Sequence, residues 1–574
     1  MTCSSRRQNR FVRAFVGVLG SGSGEAVAPT TICGHAATTV SVGAATVTFV
    51  DHDAAQPFVR DGSADLAFYT GRPFFENRLL DEKTHADAAA LDGKFARLAF
   101  SPEGIELATD WLGAGAIYHT IEGGRLHFAT HLGLLLESLS ELPDLNDMAV
   151  ASLLFGRQQV FEEMHFAGTY RLPPAGRITA SLDQDGKAKV DIDRGTGLSA
   201  LLDVDAPAWT PDSLRDMIEN GIERDAYDDQ SVLMLSGGKD SLIIALTRAA
   251  RPGYAATFGE SFSMDMLRGK QRARRLDFEF IDLPYQDWTL LTYADEIVGL
   301  HAGCSGLQTA HNIVAFDQAS HVADRASIGF LGDVFRGKRL DKLGSPDDVN
   351  LVRSLFLRER GDNRDYLSLY EKEWAMIKEH VEGLYVDLKR DHGSHRAYVL
   401  LKVQWMQSGW LSNTFDLCDW FLPVSYPFMQ RDLLASWLQS DLASPQTRRV
   451  FDVALAQALA ERGMCDDFRG TMPNRLWNRS RNMAYSVPRG RNTIGNCYWR
   501  SVIKRSQRDM KLADCGNERL NEVSRRSWQN AQSRKNWVDF PVVYMSAPIA
   551  AARARWGGKP TPRANDTDQT AIAV

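Results

Sequence analysis

The central part of the chain alternates short apolar runs with amphipathic stretches, and this pattern limits the fold more than any other feature of the sequence. Strands are predicted at 231–235, 254–258 and 278–283, and helices at 241–250 and 264–276. Strand, helix, strand, helix, strand is the order of a parallel sheet with helices on both faces. The sequence therefore predicts a doubly wound α/β domain here.

The first 200 residues follow a different pattern. Short runs rich in Thr, Val and Phe are separated by turn sequences, and a closing hairpin is predicted around Gln184-Asp185-Gly186. This predicts an α+β domain dominated by antiparallel strands. Because 574 residues are too many for one ordinary core, we predict two domains, at 1–200 and 210–545, and a disordered tail at 557–574.

Composition narrows the class of protein. A net charge of -6 gives no global reason to expect nucleic-acid binding. No uninterrupted apolar run of about 18 residues is present, so no membrane span is predicted. The seven cysteines lie far apart without a CxxC pair, a usage typical of reduced thiols in the cytoplasm.

One loop of the predicted parallel sheet has the composition of a phosphate-binding loop. It follows the first strand and reads Ser236-Gly237-Gly238-Lys239-Asp240-Ser241. Its glycines let the backbone approach a ligand, its serines add donors, and the helix N-terminus behind it favours negative charge. It is not the P-loop, because Leu233 and Asp240 stand where that pattern requires a glycine and a Ser or Thr. A carboxylate among phosphates is repulsive unless a cation intervenes, so Asp240 is predicted to bind Mg²⁺; the alternative is a tight turn in which Asp240 caps the helix.

A second loop is predicted at the same edge of the sheet. It follows the apolar run 326–331 and includes Gly332-Asp333. Asp333 would supply a second carboxylate to Mg²⁺, while Arg336 and Lys338 would neutralise a departing pyrophosphate. Lys239 is assigned a catalytic role beside the two acids. The residues assigned to nucleotide binding come from both loops and from the end of the second strand: Ser236, Gly237, Gly238, Ser241, Phe258, Gly329, Arg336 and Lys338.

These loops resemble those of the asparagine synthetase family, whose synthetase domain carries an SGGxDS pyrophosphatase loop and a later G-x-G-x-D loop. Further segments resemble the family's motifs at 110–113, 124–136, 171–176, 426–429 and 472–488. The resemblance implies an N-terminal domain like an Ntn amidotransferase, followed by an ATP-pyrophosphatase domain of the adenine nucleotide α-hydrolase type. It also implies ATP and Mg²⁺ as cofactors.

Several positions depart from the family pattern. Val16 stands where glutamine-using members have a catalytic cysteine, which implies an inactive amidotransferase domain unless processing exposes Cys3. Phe330 stands where asparagine-forming members have an acidic residue and β-lactam synthetases a tyrosine, and Pro423 where the latter have a glutamate. Arg481 replaces the family's catalytic lysine, and arginine holds charge without acting as an acid or base.

The departures resemble the lasso peptide cyclases, which adenylate an Asp or Glu side chain of a precursor peptide for attack by the peptide's own N-terminal amine. The resemblance implies a macrolactam-forming ligase that releases AMP and pyrophosphate, with a precursor peptide as substrate and a leader-peptide protease as partner. An α-amine has a pKa of about 7.7–8.0, so part of it is neutral without a dedicated base. The alternatives are an asparagine synthetase-type or β-lactam synthetase-like ligase acting on a small carboxylate, and a binding scaffold without catalysis.

Overall fold

The structure is a computed structural model that describes most of the chain between residues 12 and 556. The described segments are 12–20, 31–32, 34–51, 58–59, 66–80, 87–156, 159–195, 197–224, 230–248, 253–259, 264–284, 289, 291–337, 339–345, 348–356, 368–465, 467, 506, 516–532 and 540–556. The predicted tail at 557–574 lies outside these segments, as do Cys3, Lys338 and Arg481.

Antiparallel sheets are built from the first part of the chain. Their strands are β1 (Ala14–Leu19), β2 (Thr31–Ile32), β3 (His35–Val42), β4 (Ala45–Val50), β5 (Phe58–Val59), β6 (Leu66–Gly71), β7 (Phe74–Phe75), β8 (Arg78–Leu79), β9 (Phe95–Ser101), β10 (Gly104–Thr109), β11 (Tyr118–Glu122), β12 (Arg125–Ala129), β13 (Tyr170–Arg171), β14 (Arg177–Leu182) and β15 (Ala188–Asp193). One sheet has the order β13-β11-β12-β1-β4-β3-β2 and another the order β15-β14-β10-β9-β6-β5, while β7 and β8 form a hairpin. The predicted hairpin is formed by β14 and β15.

The two larger antiparallel sheets pack face to face. Phe49 of β4 and Phe68 of β6 belong to different sheets, and their ring centroids are 4.5 Å apart. Buried side chains from both sheets form one hydrophobic cluster, as expected when alternate residues of each strand face inward. The antiparallel architecture predicted for the first 200 residues is confirmed. Helices α1 (Leu132–Glu137) and α2 (Asp147–Ala151) follow β12 in the chain.

The second part of the chain contains a parallel sheet of five strands. Its leading elements are α3 (Pro211–Arg224), β16 (Ser231–Met234), α4 (Asp240–Arg248), β17 (Tyr254–Gly259), α5 (Met264–Arg275), β18 (Glu279–Pro284), α6 (Ala294–His301), α7 (Ala310–Ser320), β19 (Arg325–Ser327) and β20 (Val424–Ser425). Every residue of β16 is buried, which explains its continuous apolar run. The order β16, α4, β17, α5, β18 confirms the predicted alternation of strands and helices.

The strand order β18-β17-β16-β19-β20 places the first and fourth strands of the sheet side by side. The chain builds outward in one direction from β16 and in the other direction from β19, so the sheet has a switch point between them. The apolar run 326–331 is a strand only at its start: pairing ends at Ser327, and Leu331 has a φ of 72°. Leu331 cannot continue a strand in that left-handed conformation, and the segment turns into a loop instead.

The remaining helices are α8 (Asp348–Phe356), α9 (Glu371–Leu401), α10 (Ser412–Phe421), α11 (Arg431–Gln439), α12 (Pro445–Glu461), α13 (Glu518–Gln532) and α14 (Phe540–Trp556). A π-helical segment, Lys402–Leu411, joins α9 to α10. Among the helices that the structure describes, none is both long and apolar enough to cross a membrane.

Candidate functional site at the switch point of the parallel sheet

The first glycine loop lies between β16 and α4, at the carboxyl end of a central strand. Its shape is held by its own serines, because Gly238 N donates to Ser236 Oγ over 3.0 Å and Ser236 N donates to Ser241 Oγ over 3.1 Å. Gly237 N donates to Asp265 Oδ1 over 2.9 Å. The amide of Gly237 is therefore bonded to a carboxylate oxygen. Loop amides of this kind also donate to phosphate oxygens.

Arg272 supports this loop. Its Nη1 atom donates to the carbonyl oxygens of Ser236 and Gly238, at 2.8 Å and 2.7 Å. Its other nitrogens bind the carboxylate of Asp467. Both carbonyls are thereby held by one buried guanidinium, which fixes the loop without touching a ligand. Sequence reasoning missed Arg272 because nothing in the α5 pattern separates it from the other basic residues of that helix.

The second loop approaches the first so closely that only glycine fits. A Cβ atom on Gly332 would lie 2.7 Å from the Cβ of Asp240, and one on Gly329 would lie 2.9 Å from it. Both distances are shorter than side-chain contacts allow, so these glycines let the backbone of the second loop lie against Asp240. The structure thus brings together the two loops that the sequence predicted to meet.

Asp240 is largely buried between the loops. Its Oδ2 accepts from Arg336 Nη2 over 3.3 Å, whereas Oδ1 lies 3.2 Å from Arg336 Nε and has no hydrogen bond among the described residues. Burial raises the pKa of Asp240 to about 6; Arg336 opposes the shift, and the charge of Asp333 adds to it. Asp240 is therefore a carboxylate with incomplete compensation, beside a second acid.

Asp333 is bound by two side chains that the sequence did not indicate. Lys402 Nζ lies 2.7 Å from Asp333 Oδ2, and Gln407 Nε2 donates to Asp333 Oδ1 over 2.9 Å. Residues five apart point about 140° from each other on an α-helix, which has 3.6 residues per turn. The wider turn of the π-helical segment Lys402–Leu411 brings both to one side, so this segment positions Asp333.

The chemistry of the two acids suits a divalent cation. Asp240 and Asp333 offer carboxylate oxygens, the donor type that Mg²⁺ prefers. Without the ion, Arg336 and Lys402 supply the positive charge beside them. The Oδ1 atom of Asp240, buried without a hydrogen bond among the described residues, has lone pairs to coordinate a metal.

The other predicted site residues have separate positions. Lys239 Nζ donates to Asp452 Oδ1 of α12 over 2.7 Å, and its charge also acts on Asp240. Phe258 lies near the end of β17, the strand beside β16, and its ring centroid is 6.2 Å from that of His311. Arg481 and Lys338 lie outside the described residues, so the structure does not place them.

Phe330 lies in an aromatic environment at the start of the second loop. Its ring centroid is 5.6 Å from that of Phe415 and 5.6 Å from that of Tyr426. The Phe330 side chain is buried, and a phenyl ring carries no acid or base.

Comparison with known proteins adds no relative. No protein-family model matches this chain, and the search of curated proteins found no similar protein. The fold and the site define a mixed α/β protein whose parallel sheet carries two acid-bearing glycine loops at its switch point.

Proposed function

We propose that this protein is an ATP-dependent ligase that activates a carboxylate as an acyl-adenylate and joins it to an amine. The observation that carries the proposal is the close approach of the two glycine loops that bear Asp240 and Asp333, at the switch point of a parallel sheet. Open α/β sheets bind nucleotides at this position. The carboxylate oxygen of the substrate would attack the α-phosphorus of ATP and expel pyrophosphate, and the amine would then attack the acyl carbon and expel AMP.

The residues of the site suit the first step. Asp240 and Asp333 would hold Mg²⁺, which neutralises the charge that develops on the leaving pyrophosphate. The serine hydroxyls and amides of the first loop would bind phosphate oxygens, with Asp265 giving up its hold on Gly237 N. Arg336, whose Nε lies 3.2 Å from Asp240 Oδ1, would bind phosphate oxygens with its guanidinium.

For the second step we propose closure of a peptide macrolactam, as in the lasso peptide cyclases that the sequence resembles. Phe330 sits among aromatic rings and provides no base. An N-terminal α-amine needs little activation near neutral pH, because its pKa is only about 7.7–8.0. When the peptide is held with its amine beside the activated side chain, proximity supplies much of the rate of ring closure.

The test measures the products of purified protein with ATP, Mg²⁺ and peptides that have a free N-terminal amine and an internal Asp or Glu. We expect AMP, pyrophosphate and a peptide lighter by one water. Asp333→Asn should lower the rate of pyrophosphate release by about 100-fold or more, because the Mg²⁺ that would neutralise the leaving pyrophosphate loses one of its two carboxylate ligands. Asp387→Asn is the matched control, since Asp387 forms an exposed pair with Arg390 over 3.1 Å.

Two outcomes would overturn parts of the proposal. Equal rates in Asp333→Asn and in the unmodified protein would remove the acid pair from the reaction. Turnover with free aspartate and ammonia, but with no peptide, would favour the small-molecule ligase instead.

A further inference from the structure

A second group of titratable side chains, which does not include Asp240 or Asp333, lies where the antiparallel and parallel parts meet. It contains His131 from the start of α1, His301 from the end of α6, and Asp416 from α10. His131 Nε2 is 2.9 Å from Asp416 Oδ2, and His301 Nε2 is 3.3 Å from the same oxygen. Both imidazoles are buried. Three potential ligand atoms thus face one point.

Outer partners hold each of these side chains in place. Thr130 Oγ1 lies 3.0 Å from Nδ1 of His131, and Ser305 Oγ lies 2.9 Å from Nδ1 of His301. Lys94 Nζ holds the other oxygen of Asp416 over 2.6 Å. Hydrogen bonds of this kind orient metal-binding imidazoles and carboxylates, and they leave both Nε2 atoms facing the carboxylate.

The charges around the cluster accommodate a dication. Lys94 also lies 3.1 Å from Asp419, so one ammonium faces two carboxylates. The buried Trp420, whose ring is 5.5 Å from that of His131, has no hydrogen-bond partner for Nε1 among the described residues. The same holds for the hydroxyl of Tyr426, whose ring lies 5.7 Å from Lys94 Nζ. Polar groups beside the cluster are therefore left over after its internal bonds are made.

We propose that His131, His301 and Asp416 bind a zinc ion that joins the antiparallel part of the molecule to the parallel part. Two imidazole nitrogens and one carboxylate oxygen form a ligand set that suits zinc, whereas Mg²⁺ prefers oxygen alone. The three ligands come from the start of α1, the end of α6 and the middle of α10, so the ion would link those helices. It would also support the nucleotide site, because Phe415, beside Asp416 in α10, packs on Phe330 of the second loop.

The competing arrangement is a metal-free network. There both imidazoles donate a proton from Nε2 to Asp416 and accept at Nδ1 from the hydroxyls. With zinc bound, the Nε2 lone pairs coordinate the metal and each Nδ1 carries the proton and donates instead. The two arrangements therefore differ in tautomer and in metal content, and both properties can be measured.

The experiment uses the full chain without a polyhistidine tag. After dialysis, elemental analysis should find about one zinc per chain. His131→Gln and His301→Gln should each reduce the zinc content at least tenfold, because each loses a ligand. His119→Gln is the control: His119 is also buried, stacks on Tyr170 at 5.7 Å, and lies outside the cluster, so this variant should keep its zinc.

A second measurement avoids dependence on the variants. Protein stripped with a chelator and titrated with Co²⁺ should develop visible absorption bands that saturate at about one equivalent. Unmodified protein that retains no zinc and gives no cobalt bands would overturn the proposal in favour of the metal-free network. Equal zinc content in all variants would show that the metal binds elsewhere in the protein. Iron in place of zinc would show that the proposed metal is wrong. The outcome does not depend on the ligase proposal, because no nucleotide or substrate is present.

Discussion

At the scale of single residues, Asp240 carries the site. It is largely buried, it faces Arg336, and the charge of Asp333 acts on it. The electrostatic interactions of Asp240 with Arg336 and with Asp333 are stronger between the loops than in water. The consequence is a carboxylate whose ionised form gains from a further cation.

Replacing Asp240 by Asn tests the proposal that its carboxylate binds Mg²⁺ together with ATP. The variant keeps the size of the side chain but loses the negative charge, so the affinity for Mg·ATP should fall by about 10- to 100-fold. Isothermal titration with Mg·ATP measures the change. Asp387→Asn should bind as the unmodified protein does, and unchanged affinity in Asp240→Asn would contradict the metal role.

The raised pKa of Asp240 also predicts how stability depends on pH. The folded state holds this proton up to about pH 6, whereas an unfolded chain releases it near pH 3.9. As the pH falls from 7 through 6, the folded protein therefore takes up a proton that the unfolded chain does not. In metal-free buffer this group should raise the free energy of unfolding by about 1.4 kcal/mol per unit of pKa shift. Denaturant unfolding at several pH values should show the rise, and Asp240→Asn should lack it.

At the scale of elements, the site depends on two loops that end neighbouring strands, β16 and β19. Parallel strands deliver both loops to one edge, and Gly329 and Gly332 let them touch. Leu331, with φ at 72° between those glycines, holds a conformation that few side chains adopt. The close approach of the loops is therefore specified by Gly329, Leu331 and Gly332.

Gly332→Ala tests the close approach. The added methyl group would meet Asp240 at 2.7 Å, so one loop must move. We expect a loss of about 1–3 kcal/mol in the free energy of unfolding and weaker Mg·ATP binding. Gly383→Ala is the control because its Cβ would meet nothing within 4 Å. Alanine should stabilise that helical position by about 0.4–1 kcal/mol, and a similar gain in Gly332→Ala would show that the loops are not in contact.

At the scale of the whole molecule, the antiparallel and parallel parts share an interface. Gly133 of α1 and Gly299 of α6 are so close that a Cβ on Gly133 would lie 1.9 Å from the carbonyl oxygen of Gly299. Lys94 reaches across to Asp416 and Asp419. Burial alone would lower the pKa of Lys94, but Asp416 and its neighbours raise it well above the usual value. These carboxylates therefore favour the charged form of the ammonium.

Lys94→Met tests this interface. The variant keeps the apolar stem but leaves Asp416 and Asp419 without their cation, so the free energy of unfolding should fall by about 3–5 kcal/mol. Urea unfolding followed by tryptophan fluorescence measures the loss. Lys187→Met removes an ammonium from the β14–β15 hairpin and should change stability by less than about 0.5 kcal/mol. A loss no larger than that in Lys94→Met would mean that the ion pair adds nothing to the interface.

Much of the architecture was present in the sequence itself. A strand buried on both faces needs a continuous apolar run, and a surface helix needs an apolar stripe, so the order of elements in the parallel sheet was predictable. The first glycine loop was equally visible, because its residues are consecutive. The end of β19 could not be predicted, because the left-handed turn at Leu331 interrupts an apolar run that resembles a strand.

Only tertiary structure decided which side chains meet. Lys402 and Gln407 reach Asp333 from a π-helical segment about seventy residues away in the chain, and Lys239 donates to Asp452 of α12. His131, His301 and Asp416 share no sequence period, and their contact follows from the packing of helices from two parts of the molecule. Local patterns record which face of an element is apolar, whereas the pairing of polar groups depends on how distant elements pack.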